Sequence, residues 1–240
     1  MSGIDGMDGV GGGGGGIGGG VVVFGAGGRA GRAITAEARE RGHRVTAVVR
    51  DPGRHPGIEA EGVRVVRGDI TDARSVSAIV PGHDAVVHAV SPFSGPEQGL
   101  AGLDPRFFAR AADALLQGLT EARVPRLVLI GLFANLDDAR GRPVMDDPSV
   151  FPAELRPFAV AHAADLDRLR AVKDTDIDWL ILTPPALLEV TGPRTGRYRI
   201  EGEAVPQPKD AHLSYADLAV AVIDEIDTPR HHRTRVSVLS

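Results

Sequence analysis

At 240 residues and 42% hydrophobic content, the chain has the length and apolar share for one α/β domain with a sizeable core. Its 27 basic and 32 acidic side chains are interspersed, giving a formal charge of −5 and no basic block, which argues against a nucleic-acid partner. The absence of cysteine excludes disulfides, thiolate nucleophiles and thiolate-bound metals.

Residues 1–20 (MSGIDGMDGVGGGGGGIGGG) are expected to form a disordered tail outside the fold, because glycine is costly to order and almost nothing here can be buried. A glycine-rich phosphate cradle needs a strand before it and a helix after it, and this stretch has only the strand after it. From Val21 the pattern alternates. Val21–Phe24 reads as a buried strand, Arg29–Arg41 as a helix stopped by Gly42, and Arg44–Val49 as a second strand. Val63–Val66, Ala85–Ala89, Leu127–Ile130 and Trp179–Leu182 are further apolar runs of strand length, with helices predicted over Asp72–Ile79, Pro105–Ala122 and Pro157–Val172. A Pro/Gly-rich insertion (183–212), a helix (Tyr215–Ile226) and a last strand (Arg235–Leu239) complete the chain. Repeated β-α units predict a single Rossmann domain over 21–240: a doubly wound parallel sheet of about seven strands. No apolar run reaches the ~18 residues needed to span a bilayer, and the N-terminus lacks the basic and apolar segments of a signal peptide. A cytoplasmic protein without a membrane partner, monomeric or homodimeric, is expected.

The chemistry begins at VVVFGAGGRAG, 21–31. Gly25, Gly28 and Gly31 stand between the first strand and the first helix. In such a turn the first glycine permits the bend and the second lets backbone N–H groups approach a pyrophosphate. The third lets helix and sheet pack closely. A dinucleotide site follows, with Arg29 and Ala30 at the helix start. The second strand ends in Arg50 rather than an acid. A guanidinium suits a ribose 2′-phosphate, so NADP(H) is preferred over NAD(H); the alternative is a surface Arg50–Asp51 turn. Asp69, after the third strand, accepts from an adenine amino group, or Asp69 or Thr71 caps the next helix. Ser91 and Ser94 lie where the fourth strand opens and face the cofactor or substrate, or start a turn. Ser214-Tyr215-Ala216-Asp217 reads as a helix-capping box, with no catalysis assigned to Tyr215.

FGAGGRAG (24–31), RGHRVTAVVRDP (41–52), GDITD (68–72), GHDAVVHAV (82–90), DWLILTPPALLE (178–189), RTGRYRI (194–200) and SYADLAVAVIDE (214–225) together resemble an atypical short-chain dehydrogenase/reductase. More narrowly, they resemble the NAD(P)H-binding group of NADH-flavin-reductase-like proteins, biliverdin reductase B and NmrA-like proteins. The resemblance covers about residues 21–240. It implies that Gly25, Gly28, Arg29, Arg50, Asp69, Ile70, Ala89 and Val90 line the cofactor site and that Leu132 and Pro185, Ala186 and Leu187 flank the nicotinamide end.

The family at large reduces carbonyls with a Ser-Tyr-Lys set. Here Gly131 and Leu132 stand where serines commonly sit, and Phe158 and His162 occupy the Tyr-x-x-x-Lys spacing. His162 is the one titratable replacement, either a proton donor or cofactor contact near neutral pH or a packed helix histidine beside Phe158. The expected function is an NAD(P)H-dependent reduction of a small conjugated acceptor, such as a flavin or quinone, by hydride transfer. The alternatives are a non-catalytic NADP(H) sensor of NmrA type, or a biosynthetic reductase or cyclase of a specialised metabolite. No metal is expected. The irregular Asp137–Pro157 segment is expected to cover the substrate.

Overall fold

The computed structural model describes residues 18–93, 100–205 and 211–240. Its strands are β1 (Gly20–Phe24), β2 (Arg44–Val49), β3 (Val63–Arg67), β4 (Ala85–His88), β5 (Arg126–Ile130), β6 (Asp178–Thr183), β7 (Leu187–Glu189), β8 (Arg199–Glu201), β9 (His212–Ser214) and β10 (Thr234–Leu239). The helices are α1 (Arg29–Glu40), α2 (Ala73–Ile79), α3 (Phe107–Ala122), α4 (Arg156–Ala171) and α5 (Tyr215–Asp227). Eight strands form one sheet in the order β3-β2-β1-β4-β5-β6-β10-β8. All pairs are parallel except β10 with β8.

The period-two alternation of a strand explains why these runs are apolar without interruption. Val21 and Val23 face one side with Val45, Ala47, Leu180 and Leu182, under Ile34 of α1 and Leu218 of α5. Val22 and Phe24 face the other with Val86, Leu127, Leu129 and Ile181, under α2, α3 and α4. Both faces are covered, so every position is core. The strand order turns back between β1 and β4, and it is at the C-terminal ends of the strands at such a point that ligands bind in sheets of this kind.

All seven strands and five helices read from the sequence are present, with an edge strand in addition. β8 lies in the Pro/Gly-rich insertion, to which the sequence reading assigns no strand. Its RYRIE alternation, polar and apolar by turns, carried the signal, and its charged side chains guard an exposed edge. The insertion also holds β7, paired in parallel with β9. Two helix starts differ from expectation. α2 is capped by Asp72, whose carboxylate accepts from Arg74 N–H at 3.0 Å, not by Asp69 or Thr71. At α5, Ser214 Oγ accepts from Asp217 N–H at 2.9 Å as a capping box requires, but the Asp217 carboxylate accepts from Thr195 and Gly196 instead.

The N-terminal boundary also moves. Gly20 opens β1, its N–H donating to the Asp84 carboxylate at 2.7 Å, and Gly19 O accepts from Arg44 N–H at 3.2 Å. The expected tail therefore ends at least three residues earlier than Gly20; residues 1–17 lie outside the described residues. A chain beginning at Val21 should melt several degrees below one beginning at Gly18, because the part-buried Asp84 loses its donor, a loss of about 1–3 kcal/mol. Thermal denaturation of the two truncations checks this.

Candidate cofactor and acceptor site

The three glycines of the first turn play three different parts. Gly25 has φ +86°, and a Cβ there would lie 2.6 Å from Ala89 O, so it provides both the bend and the close approach to the end of β4. Gly31 touches the strand: a Cβ would stand 2.1 Å from Gly25 O. Gly28 differs, since a Cβ would meet only Gly25 O at 3.4 Å and the residue is exposed. The space above it is the room a pyrophosphate requires. No side chain caps α1, and its first turn carries no acid. The N–H groups of Arg29, Ala30 and Gly31 have no intrahelical carbonyl to reach, and the helix dipole favours an anion before them. A dinucleotide pyrophosphate therefore fits.

Arg50 is exposed at the end of β2 and Arg29 at the start of α1; neither has a bonded partner among the described residues. The alternative Arg50–Asp51 turn is not what forms. Asp51 caps the short 3₁₀ turn at 52–54, Oδ1 accepting from Gly53 N–H at 3.1 Å. That turn lays the His55 ring over Gly27, with Arg32 Nη2 3.4 Å from His55 Nδ1 and Arg32 Nε donating to Gly27 O at 3.1 Å. Sequence reasoning missed Arg32 and His55, which only the return of the chain after β2 brings to the glycine turn. Ile70 is buried beneath the adjoining strand end. Asp69 is exposed, one carboxylate oxygen accepting from Thr71 N–H and Oγ–H at 2.9 and 2.8 Å.

Just beyond β4, Ala89 N–H donates to Phe24 O at 2.9 Å and Val90 N–H to His88 Nδ1 at 3.1 Å. Ser91 uses its hydroxyl within its own turn, donating to Phe93 O and accepting from Phe93 N–H at 2.7 and 3.1 Å. Ser94 lies outside the described residues. Pro185 is buried at the end of β6, and Ala186 and Leu187 are exposed beyond it. The RTGRYR motif acts as a clasp. Arg194 forks onto Glu37 of α1 at 2.7 and 2.8 Å, Thr195 and Gly196 donate to Asp217, and Tyr198 Oη–H donates to Asp224 at 2.6 Å. Hydrogen bonds from Arg194, then Arg41, hold the Glu37 carboxyl below its ordinary pKa.

His162 lies in an aromatic cluster that residue spacing did not reveal. Its ring packs on Phe108 with centroids 4.2 Å apart and edge-on to Phe158 at 5.9 Å. Phe93 tilts over Phe158 at 4.8 Å, and Leu132, Phe107, Leu100 and Leu103 close the group. Only 11% of the His162 side chain is exposed, and burial pushes its pKa down to about 4, too low to hold a proton at neutral pH. This corrects the expectation of a group titrating near neutrality: desolvation disfavours the imidazolium. His88, fully enclosed at the end of β4, is driven to about 3 by burial and then by His162.

These shifts fix a pH dependence of stability. Histidines neutral in the fold but protonated below about 6.5 in the unfolded chain make the unfolded state bind more protons, so stability should fall as pH drops from 6.5 toward 4. Asp165, held by burial well above its ordinary value, acts in the opposite sense, because the fold keeps a proton the unfolded chain releases above about 3.9. Two histidines outweigh one carboxyl. Urea titrations at pH 4.5 and 7 should show the acid loss, with a shallower slope in His88→Phe.

With the site's geometry in view, the relationships are clear. The chain belongs to the NAD(P)H-binding family, whose model matches residues 25–229. The YwnB protein of Bacillus subtilis is 34% identical over 223 residues, 91% of this chain and 97% of YwnB. A Burkholderia pseudomallei structure provisionally named an exported protein is 32% identical with TM-score 0.77, covering 92% of this chain and all of that one. A Streptococcus pneumoniae structure, SP1627, provisionally named an NADH-flavin reductase, is 28% identical with TM-score 0.75, covering 93% of this chain and all of that one. No helix among the described residues is long and apolar enough to cross a membrane, and no metal-binding cluster of His, Asp or Glu occurs among them.

Proposed function

We propose that this protein is an NADPH-preferring reductase whose acceptor is a flat, conjugated ring system of the flavin or quinone kind. The observation that carries the reading is the wall formed by Phe93, Leu132, Phe158 and His162, apolar and free of any group that ionises near neutral pH. Such a wall holds an aromatic face by offset and edge contacts, each worth about 0.5–1.5 kcal/mol beyond burial. Phe158 has no hydroxyl with which to polarise a ketone. The provisional name of the Streptococcus pneumoniae relative supports the same class of acceptor.

The bound dinucleotide supplies a hydride. The amides before α1 and the open space at Gly28 hold its pyrophosphate, Arg50 and Arg29 meet the 2′-phosphate, and Pro185 to Leu187 bound the nicotinamide end. Catalysis then rests on placing donor and acceptor face to face within near-attack distance and on excluding water from between them. The test is a screen of NADPH oxidation against flavins, quinones and aldehydes. Turnover should appear with the ring acceptors and be absent with aldehydes. Tight NADPH binding without oxidation by any acceptor would replace this reading with that of a nucleotide sensor.

A further inference from the structure

Behind Leu132 lies a small, partly open cavity of about 20 Å³, bounded by Gly131, Asn135, His162, Asp165, Thr183 and Arg235 among others. It has roughly the room of one water molecule. Its wall is largely apolar, with Leu132, Leu166 and Ile181, but a few buried polar side chains border it. Asp165 Oδ1, Thr183 Oγ1 and Arg235 Nε are buried and have no hydrogen-bond partner. Buried polar atoms are almost always bonded, so three orphans around one water-sized space indicate what belongs in it. The arrangement is built by Gly131. A Cβ there would come within 2.1 Å of Thr183 Oγ1, so a hydroxyl from β6 fills the space that a β5 side chain would take. Asn135 fixes the helix above it: in the orientation that satisfies both groups, its amide donates to Ala159 O at 3.0 Å and accepts from Ala163 N–H at 3.1 Å.

We propose that this cavity holds one bound water, and that Asp165 gives a proton through that water and His162 to the acceptor as it takes up hydride. The proposal rests on the reductase reading above. Asp165 and His162 are three residues apart on α4, with Oδ2 3.9 Å from Nδ1. That is too long for a direct hydrogen bond and suits a bridging water. The charged and titratable groups around Asp165 are His162 on its own helix and Arg235 from β10, with His88 beyond Phe108. Both terminal nitrogens of the Arg235 guanidinium are committed elsewhere, and only Nε is without a partner among the described residues. The terminal nitrogens donate to Asn135 O and to the carboxylates of Asp137 at 3.3 Å and Glu203 at 3.0 Å. Burial raises the Asp165 carboxyl well above its ordinary pKa and lowers that of His162 to about 4, both shifts favouring the proton on the acid.

The step balances. A C–H or N–H bond forms on the acceptor from the hydride, placing two electrons there. His162 releases its N–H proton to the resulting anion, the water protonates the other ring nitrogen, and the Asp165 O–H bond breaks to restore the water. A solvent proton later returns Asp165 to its neutral form.

The experiment pairs infrared spectroscopy of the free protein with kinetics on Asp165→Asn. At pH 7 the wild type should show a protonated-carboxyl C=O band that shifts in D2O and is missing from the variant. With the best ring acceptor, kcat should fall on the order of 10²-fold while KM is unchanged, as for loss of a general acid. The wild-type kcat should decline at high pH with a break the variant lacks. Should Asp165→Asn not fold, Thr183→Val, which removes a ligand of the water, should lower kcat in the same direction. Absence of the band from the wild type overturns the proposal whatever the kinetics. A band with kcat in the variant within threefold of wild type overturns the donor role. A band without NADPH oxidation by any acceptor overturns the reductase reading and the donor role together, leaving the buried acid in place.

Discussion

Gly28→Val should leave the fold intact and abolish NADPH binding, the largest functional loss expected from one side chain in this protein. The two halves of the result follow from different observations. The backbone at Gly28 has φ −78° and ψ 173°, a conformation any residue adopts, and a Cβ there meets only Gly25 O at 3.4 Å. The free protein therefore accommodates the valine with a melting temperature within a degree or two of wild type. The side chain then occupies the space before the N–H groups of α1, where the pyrophosphate must approach the backbone. Loss of those charge-assisted bonds, at about 1.5–3 kcal/mol each, should weaken binding at least 10²-fold. Gly31→Ala makes the contrast, because its methyl would be driven against Gly25 O and the cost should appear in stability instead. Calorimetric titration beside thermal melts separates the two. A Gly28→Val protein that melts normally and binds NADPH as well as wild type would show that the dinucleotide does not use this turn.

Arg50→Ala should discriminate between the two nicotinamide cofactors. Arg50 stands exposed at the end of β2 with its charge uncommitted among the described residues, while Asp51 caps the following turn. A guanidinium paired with a 2′-phosphate contributes about 2–3 kcal/mol, or roughly 30- to 150-fold in NADPH affinity. NADH has no phosphate at that position, so its affinity should change less than threefold. Arg29 stands uncommitted at the start of α1, so Arg29→Ala should act in the same direction. Equal weakening toward both cofactors would remove the NADP preference and return Arg50 to a surface role.

Much of this was legible in the sequence because it is local. Val21–Phe24 declares a doubly buried strand by lacking polar positions, and Gly25, Gly28 and Gly31 declare a turn whose demands are set within seven residues. The absence of an acid at position 50 is read from one residue at a strand end. The expectation that Gly131, Leu132, Phe158 and His162 stand in place of a Ser-Tyr-Lys set came instead from the resemblance to a family. Local reasoning placed the start of the fold at Val21, slightly late, because the bond that recruits Gly20 comes from Asp84, 64 positions away.

The sequence by itself determined the β-α order and the glycine turn with its helix, since periodicity and backbone freedom act over a few neighbours. Tertiary structure decided how His162 behaves, because its pKa depends on the solvent that Phe108 and Phe158 exclude. It also decided that Asp165, Thr183 and Arg235 face one cavity, from α4, β6 and β10. An aspartate three residues after a histidine is commonplace on a helix. Only when the sheet brings two distant strands beneath that helix does burial push the aspartate's pKa well above its ordinary value, because desolvation depends on everything packed around a group and on nothing in its sequence neighbourhood.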